Sequence, residues 1–288
     1  MSTPDSSIHQ DESWDLIIDA GQLSNRNHFK DFLNNRDLLS LLVKRDLVTI
    51  YKQTLLGPLW LLIQPILKVA IFYFVFGKLA GISTDGVPAV LFYLTGLTFW
   101  EFFAAIVKKS ADVFTANQHI FSKVYFPRMV VAFAAVASSG IKLAIQFSLF
   151  FVVWIFYLLQ GLVHPNIFLI ALPVLLLIIA VLGLGTGLIL TSLTAKYRDL
   201  RFVIDTGLQV LFYLTPVIYP LSIAKGSFFN ALLFNPLVSV IEAIRFSFLG
   251  QGVVDVKFLV YSGFFAILTF WIGLKLFEKT ERTFIDTI

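Results

Sequence analysis

Six long, mostly apolar stretches punctuate the chain, at 59–80, 88–107, 129–160, 166–194, 202–222 and 256–277. Each supplies the roughly 20 residues a helix needs to cross a hydrocarbon core. None shows the short polar–apolar alternation of membrane barrel strands. The pattern predicts an all-α integral membrane protein with six transmembrane helices. The third stretch would reach roughly 48 Å at about 1.5 Å per residue, so it must tilt, project from the bilayer, or bend near Ser138-Ser139-Gly140.

Between and around these stretches the pattern changes. Residues 36–52 place Leu39, Leu42, Val43, Leu47 and Ile50 at helical spacing, with Arg36, Lys44, Arg45 and Lys52 elsewhere around the helix. This predicts an amphipathic helix at the membrane interface, within a segment 36–57, which is either a plain lipid anchor or a packed element. The loop 108–128 mixes Val113, Phe114, Ile120 and Phe121 with polar residues and is long enough for a short helix. Those apolar side chains either dock another protein or pack on this chain's own helices. In 223–255, Asn235-Pro236 has the form of a helix cap followed by proline at the first helical position. Leu237, Val240, Ile241, Ile244 and Phe248 then share one face, with Glu242 and Arg245 off it. A helix of that length cannot span, so it is expected to be re-entrant or to lie at the outer interface. The remaining divisions are an acidic tail at 1–35, a membrane domain at 58–280 and a short end at 281–288.

Composition removes whole classes of function. At 58 % hydrophobic and 14 % charged residues, with mean hydropathy +0.84, the chain is far from a soluble domain, where about 25 % of residues are charged. Zero cysteines exclude disulfides, thiolate metal sites and cysteine nucleophiles. His9, His28, His119 and His164 are scattered, with no metal-ligand spacing. The net charge of +4 is spread out rather than gathered into a nucleic-acid-binding face. The first 25 residues hold no Lys or Arg but carry Asp5, Asp11, Glu12, Asp15 and Asp19, unlike a secretory signal. Basic residues cluster before the first span, between spans two and three and between four and five, and after span six. Only Lys78, Lys225, Arg245 and Lys257 fall on the other side. By the positive-inside rule both termini are expected to be cytoplasmic.

Polar residues inside the spans are costly and normally face protein or water. Trp60, Gln64 and Lys68 recur on one side of span one, next to Pro65. Ser138, Lys142 and Gln146 make a stripe on span three, and Glu101 sits in the inner half of span two. Either Glu101 pairs internally with Lys68 or Lys142, or these groups line a watery path. Span five carries Asp205, Gln209, Tyr213, Pro216 and Pro220 on one stripe, with Tyr219 close by. Gly183 and Gly187 in span four, with Thr186 and Thr191, predict a close-packing face. Tyr73, Tyr93, Trp100, Tyr213 and Tyr219 are rings with polar handles, suited to stacking on sugars. No G-x-x-x-x-G-K-[ST] phosphate loop is present, nor any HExxH, cofactor fingerprint or nucleophile constellation. If the chain transports, another protein is expected to supply the energy.

The segment RDLVTIYKQTLLGPLWLLIQP at 45–65 closely resembles the corresponding part of ABC type-2 permeases that export O-antigen, capsule or teichoic-acid polysaccharides. SKVYFPR at 122–128, KYRDLRFVIDTGLQVLFYLTPVIYP at 196–220, FNPLVSVIEAIR at 234–245 and the closing EKTERTFID continue the match in order over 36–288. The resemblance implies an ABC type-2 exporter fold and a homodimer in a bacterial cytoplasmic membrane. It also implies two copies of a separate ATPase subunit that binds ATP and Mg, with no cofactor in this chain and no nucleic acid. It makes 36–52, within the segment 36–57, the interface helix and has the 108–128 loop carry the cytoplasmic coupling helix, with Val113, Phe114, Asn117, His119, Ile120 and Phe121 as candidates for coupling to the ATPase. Short re-entrant gate helices would fall in 223–252, with Phe234, Pro236, Ile241, Ile244 and Arg245 at the outer gate. Spans one and five would line a conduit for a lipid-linked polysaccharide, with Trp60, Gln64, Lys68, Tyr73, Gln209, Tyr213 and Tyr219 along it. The alternatives are an exporter of a small amphiphile such as a drug, and a membrane scaffold with no transport of its own.

Overall fold

The described residues, 36–52, 55–121, 127–197 and 199–285 of a computed structural model, form eleven α-helices and no strand. The acidic tail and most of the SKVYFPR motif lie outside them. Helix α1 (Arg36–Tyr51) precedes a first span, Gly57–Leu79, made of a 3-10 turn, α2 (Trp60–Phe72) and a π-helical end, Tyr73–Leu79. Then come α3 (Ala89–Ala111), the one-turn helices α4 (Val113–Ala116) and α5 (Gln118–Phe121), and α6 (Met129–Leu159). A 3-10 turn, Ile167–Ala171, leads into α7 (Leu172–Thr194), followed by α8 (Leu200–Leu214), α9 (Ser227–Leu233), α10 (Pro236–Leu249) and α11 (Val256–Ile285).

Five helical segments are long and apolar enough to cross a membrane: Gly57–Leu79, Ala89–Ala111, Met129–Leu159, Ile167–Thr194 and Val256–Arg282. They match the expected first, second, third, fourth and sixth spans. The expected fifth span is corrected in its form. Helix α8 has 15 residues, about 22 Å, and the helix stops at Leu214 rather than reaching 222. Pro216 and Pro220 account for the stop, because proline cannot donate to the helical ladder and drives the residue before it out of the helical region. Thr215 is accordingly extended at φ −102°, ψ 137°. Helix α6 runs unbroken through Ser138-Ser139-Gly140, so tilt or projection carries its extra length.

Helix α3 is the hub, with most of its surface enclosed by α2, α6, α7 and α10. Its buried Thr95 and Thr98 hydroxyls donate back to the carbonyls of Leu91 and Leu94, each at 2.7 Å, which satisfies them without water. Helix α7 packs against α3 on one side and α11 on the other. Gly183 and Gly187 form the predicted small face: a Cβ on Gly187 would lie 2.4 Å from Ser110 Cβ, and one on Gly183 would lie 3.1 Å from Ile106. The opposite side of α7 is tighter still. A Cβ on Gly185 would fall 2.5 Å from the Phe270 nitrogen, and one on Gly273 would fall 2.5 Å from the Gly185 oxygen. Backbone therefore meets backbone between α7 and α11, as small residues permit where lipid supplies no hydrophobic drive.

Candidate translocation face and its ion pairs

The costly polar residues of the spans meet one another. Glu101 on α3 accepts from Lys68 Nζ of α2 at 2.6 Å and from Gln146 Nε2 of α6 at 2.7 Å, with Lys142 Nζ at 3.8 Å. One turn along α6, Ser138 accepts from Lys109 of α3 at 2.7 Å and donates to Asp46 of α1 at 3.3 Å. Lys109 also lies 3.7 Å from Asp46. The α6 stripe is thus a ladder that joins four helices, and the internal-pairing expectation for Glu101 describes it. The same ladder holds α1 against α6 by more than its apolar face, with Leu42 buried. Helix α1 is therefore a packed element rather than a plain lipid anchor.

Helices α2 and α8 each pack against α3 and meet one another through Phe72 and Phe212. Phe212 of α8 lies 5.9 Å from Phe72 of α2 and 5.4 Å from Trp100 of α3, and Phe72 lies 6.1 Å from Tyr93. These rings fill the space behind the two helices, so Tyr93 and Trp100 are core residues and not sugar-stacking surfaces. The outward side of α8 carries Asp205, Thr206, Gln209 and Tyr213, all exposed, while Ile204 and Leu208 face inward. On α2, Gln64 and Lys68 are exposed and Trp60 is half-buried. Pro216 and Pro220, expected on the α8 stripe, are buried beyond its end. Tyr219 is half-buried, and its hydroxyl donates to the Tyr213 carbonyl at 3.2 Å.

Tyr73 does not join this face. Nine residues separate it from Gln64, about half a turn at 100° per residue. It lines an apolar groove with Ile66, Val69, Ala70, Val90, Leu94, Leu149 and Val153, between α2, α3 and α6.

The end of the molecule bearing α4 and α5 is fastened from three sides. Val113 and Phe114 are buried, and Phe114 stacks on Phe277 of α11 at 4.9 Å. Arg128 sits over the Phe114 and Phe121 rings, at 5.8 and 5.2 Å. Buried Asn117 donates to the Val113 carbonyl at 3.0 Å and accepts from Arg45 of α1 at 2.9 Å. Of the two alternatives for this loop's apolar side chains, packing on the chain's own helices holds for Val113 and Phe114. Thr115 is partly exposed, and among the described side chains of these two turns Ala116 and Gln118 are exposed. The side chains of His119 and Ile120 lie outside the described residues. Two ion pairs then tie this end to α8: Asp112 with Arg201 at 2.7 Å, and Lys108 with Asp205 at 2.5 Å.

At the opposite end, α9 and α10 meet at 92°. Asn235 caps α10 as expected, its Oδ1 accepting from the Leu237 amide at 3.1 Å. Its Nδ2 donates to Thr215 Oγ1 at 2.9 Å. Helix α10 is enclosed almost all round, which corrects the reading of Glu242 and Arg245 as lying off a single buried face. Arg245 and Glu242 are each only 2 % exposed and pair at 2.6 Å. Arg245 also donates to the Val217 carbonyl at 3.2 Å and lies 3.8 Å over the Phe92 ring. Glu242 accepts from the Val253 amide at 3.2 Å. Gly96 of α3 makes room, since a Cβ there would stand 2.9 Å from Arg245 Nη2. Ile241 and Ile244 are buried with this pair, Pro236 is half-buried, and Phe234 is exposed.

A profile described as ABC-2 type transporter matches residues 37–249. The chain belongs to the ABC-2 type transporter family. A relative named O-antigen export system permease protein RfbA, from Klebsiella pneumoniae, is 29 % identical over 255 residues, covering 88 % of this chain and 95 % of the relative. A protein of the same name from Myxococcus xanthus is 25 % identical over 261 residues, covering 90 % and 98 %. The polysialic acid transport protein KpsM of Escherichia coli is 24 % identical over 244 residues, covering 84 % and 93 %. This ABC-2 chain is a multi-pass membrane protein, in keeping with its five long apolar helices.

Two features of the ABC-2 chain escaped sequence reasoning. Gly185 and Gly273 lie on different spans, so no spacing within either one pairs them. The Glu242–Arg245 pair did leave a signal, opposite charges three residues apart on one helix. Its burial depends on α3 and residue 217 closing over it, which α10 alone does not disclose.

Proposed function

We propose that this chain is the permease subunit of an ATP-driven exporter of lipid-linked polysaccharide, an O-antigen or a similar cell-surface glycan. Two copies work with two copies of a separate ATPase that holds ATP and Mg, in a bacterial cytoplasmic membrane with both termini inside. The observation that carries this reading is the polar outward side of α8 and α2. Gln209 on α8, with Gln64 and Lys68 on α2, is exposed within the expected spans, where such groups face hydrocarbon only at a cost. A second copy that encloses a hydrated path between the two faces removes that cost. Gln209 and Gln64 then offer hydrogen bonds, and Tyr213 an exposed ring, to a passing glycan. The names of the relatives support glycan as the cargo.

The ATPase has a handle on this path. Force on Thr115, Ala116 or Gln118 reaches α8 through the Asp112–Arg201 and Lys108–Asp205 pairs. The buried stacking of Phe114 on Phe277 makes the loop move with α11 rather than bend alone. At the outer end, Phe228 and Phe234 are exposed aromatic side chains of the α9–α10 hairpin available to close the path.

The test is ATP hydrolysis by the reconstituted complex. Lipid-linked glycan is expected to raise the rate, and Gln209→Leu with Tyr213→Ala is expected to remove most of that rise while the complex still assembles. Stimulation by small amphiphilic drugs, with indifference to the glycan lipid, contradicts the proposal and favours the small-amphiphile reading.

A further inference from the structure

Lys68 and Lys142 share one carboxylate. Both oxygens of Glu101 are already occupied at hydrogen-bond distance, Oε1 by Lys68 and Oε2 by Gln146, while Lys142 Nζ stands off at 3.8 Å. Among the described residues, this layer of the ladder therefore carries one positive charge more than it carries negative. The next layer, where Asp46 meets Lys109 and Arg45, supplies no spare carboxylate to neutralise it. Lys68 lies eleven residues beyond Gly57, about 16 Å along the helix and so near the middle of a core about 30 Å thick. Glu101 is 12 % exposed but Lys68 is 51 % exposed, on the same side of α2 as Gln64. The surplus cation is thus presented toward the proposed path, at the depth where a cation is least tolerated without a partner.

A neutral glycan gives no reason to keep such a charge there. A phosphate ester does, because an anion drawn through the middle of a bilayer needs a counter-charge at that depth. We propose that Lys68 and Lys142, poised on Glu101, form a mid-membrane station for the phosphate of an anionic lipid carrier. Lys68 swings from Glu101 onto the phosphate, and Lys142 closes its 3.8 Å gap to Glu101, so the carboxylate stays paired throughout. The inference rests on the exporter reading above and adds to it the residues that meet the carrier's phosphate in mid-membrane.

The experiment uses the permease–ATPase complex in nanodiscs of phosphatidylcholine, with a polyprenyl diphosphate as probe and the uncharged polyprenol as control. Lys68→Gln is expected to weaken diphosphate binding about tenfold, by loss of one charge-assisted contact, and Lys68→Arg to retain it. Glu101→Gln, which releases both lysines, is expected to tighten binding. Polyprenol binding stays unchanged in all three. A purely structural ion pair predicts instead that Lys68→Gln and Glu101→Gln move binding in the same direction or not at all, and either result overturns the proposal. Phosphatidic acid, added as competitor, identifies the source: equal displacement assigns the station to ordinary bilayer phosphate, and failure to displace assigns it to the carrier diphosphate. ATP-driven glycan delivery by the unmodified complex is measured in parallel. Delivery without the opposite effects of the two variants removes the station and leaves the exporter. The opposite effects without delivery do the reverse.

Discussion

Arg245→Ala is expected to lower the stability of the ABC-2 chain by about 3–5 kcal/mol, the usual cost of stranding one member of a buried ion pair. Glu242 would keep its Val253 amide but lose its charged partner Arg245 at 2 % exposure. The Val217 carbonyl would also lose a donor, and the cation over Phe92 would be gone. Thermal unfolding of the detergent-solubilised protein measures the loss. The double change Arg245→Met with Glu242→Leu is expected to recover much of it, because an apolar pair of similar volume leaves no buried charge unpaired. If the single and double variants fall equally, the damage lies in packing around Gly96 rather than in the pair. The pair matters beyond stability because it links α10 to the non-helical end of α8. A change at the α9–α10 hairpin is therefore felt by the segment that follows Tyr213.

Gly185→Val should be as damaging by a different route. Its Cβ would occupy space 2.5 Å from the Phe270 nitrogen and 2.7 Å from the Phe270 Cα, where backbone cannot yield as a flexible side chain can. Relief requires α7 and α11 to move apart, which forfeits close contact along their whole crossing. The cost is expected at or beyond the top of the about 1–3 kcal/mol range for overpacking, read as a lower unfolding temperature and loss of folded protein on size exclusion. Gly207→Val on the outward side of α8, where a Cβ meets nothing within 4 Å, is the control that should leave monomer stability nearly unchanged. Equal losses from the two changes would show that β-branching in a helix, and not the α7–α11 contact, is responsible.

Hydropathy locates the five long apolar helices because the bilayer imposes a minimum apolar length on each of them. The Asn235-Pro236 cap and the Gly183–Gly187 face were legible for a similar reason, since each is a local rule acting within one element. Where two elements share the decision, the sequence was silent or misleading. Phe114 and Phe121 look alike whether they meet a partner or this chain's own Phe277 and Arg128. Tyr73 and Tyr93 carry the same chemistry as Tyr213, but only Tyr213 is left on the open side once α3 closes behind α2 and α8. The apolar run of the fifth span continues through Pro216 and Pro220, although the helix stops at Leu214.

In the proposed exporter two copies of this chain enclose a path for a glycan carried on lipid, driven by a separate ATPase. Co-reconstituting the chain with its ATPase in liposomes, loading a defined lipid-linked glycan on the ATP side, and probing the opposite leaflet with a glycan-specific lectin tests it directly. ATP-dependent appearance of the glycan, lost when the ATPase is inactivated, is the predicted result. Steady ATP hydrolysis with no glycan reaching the far leaflet would contradict it.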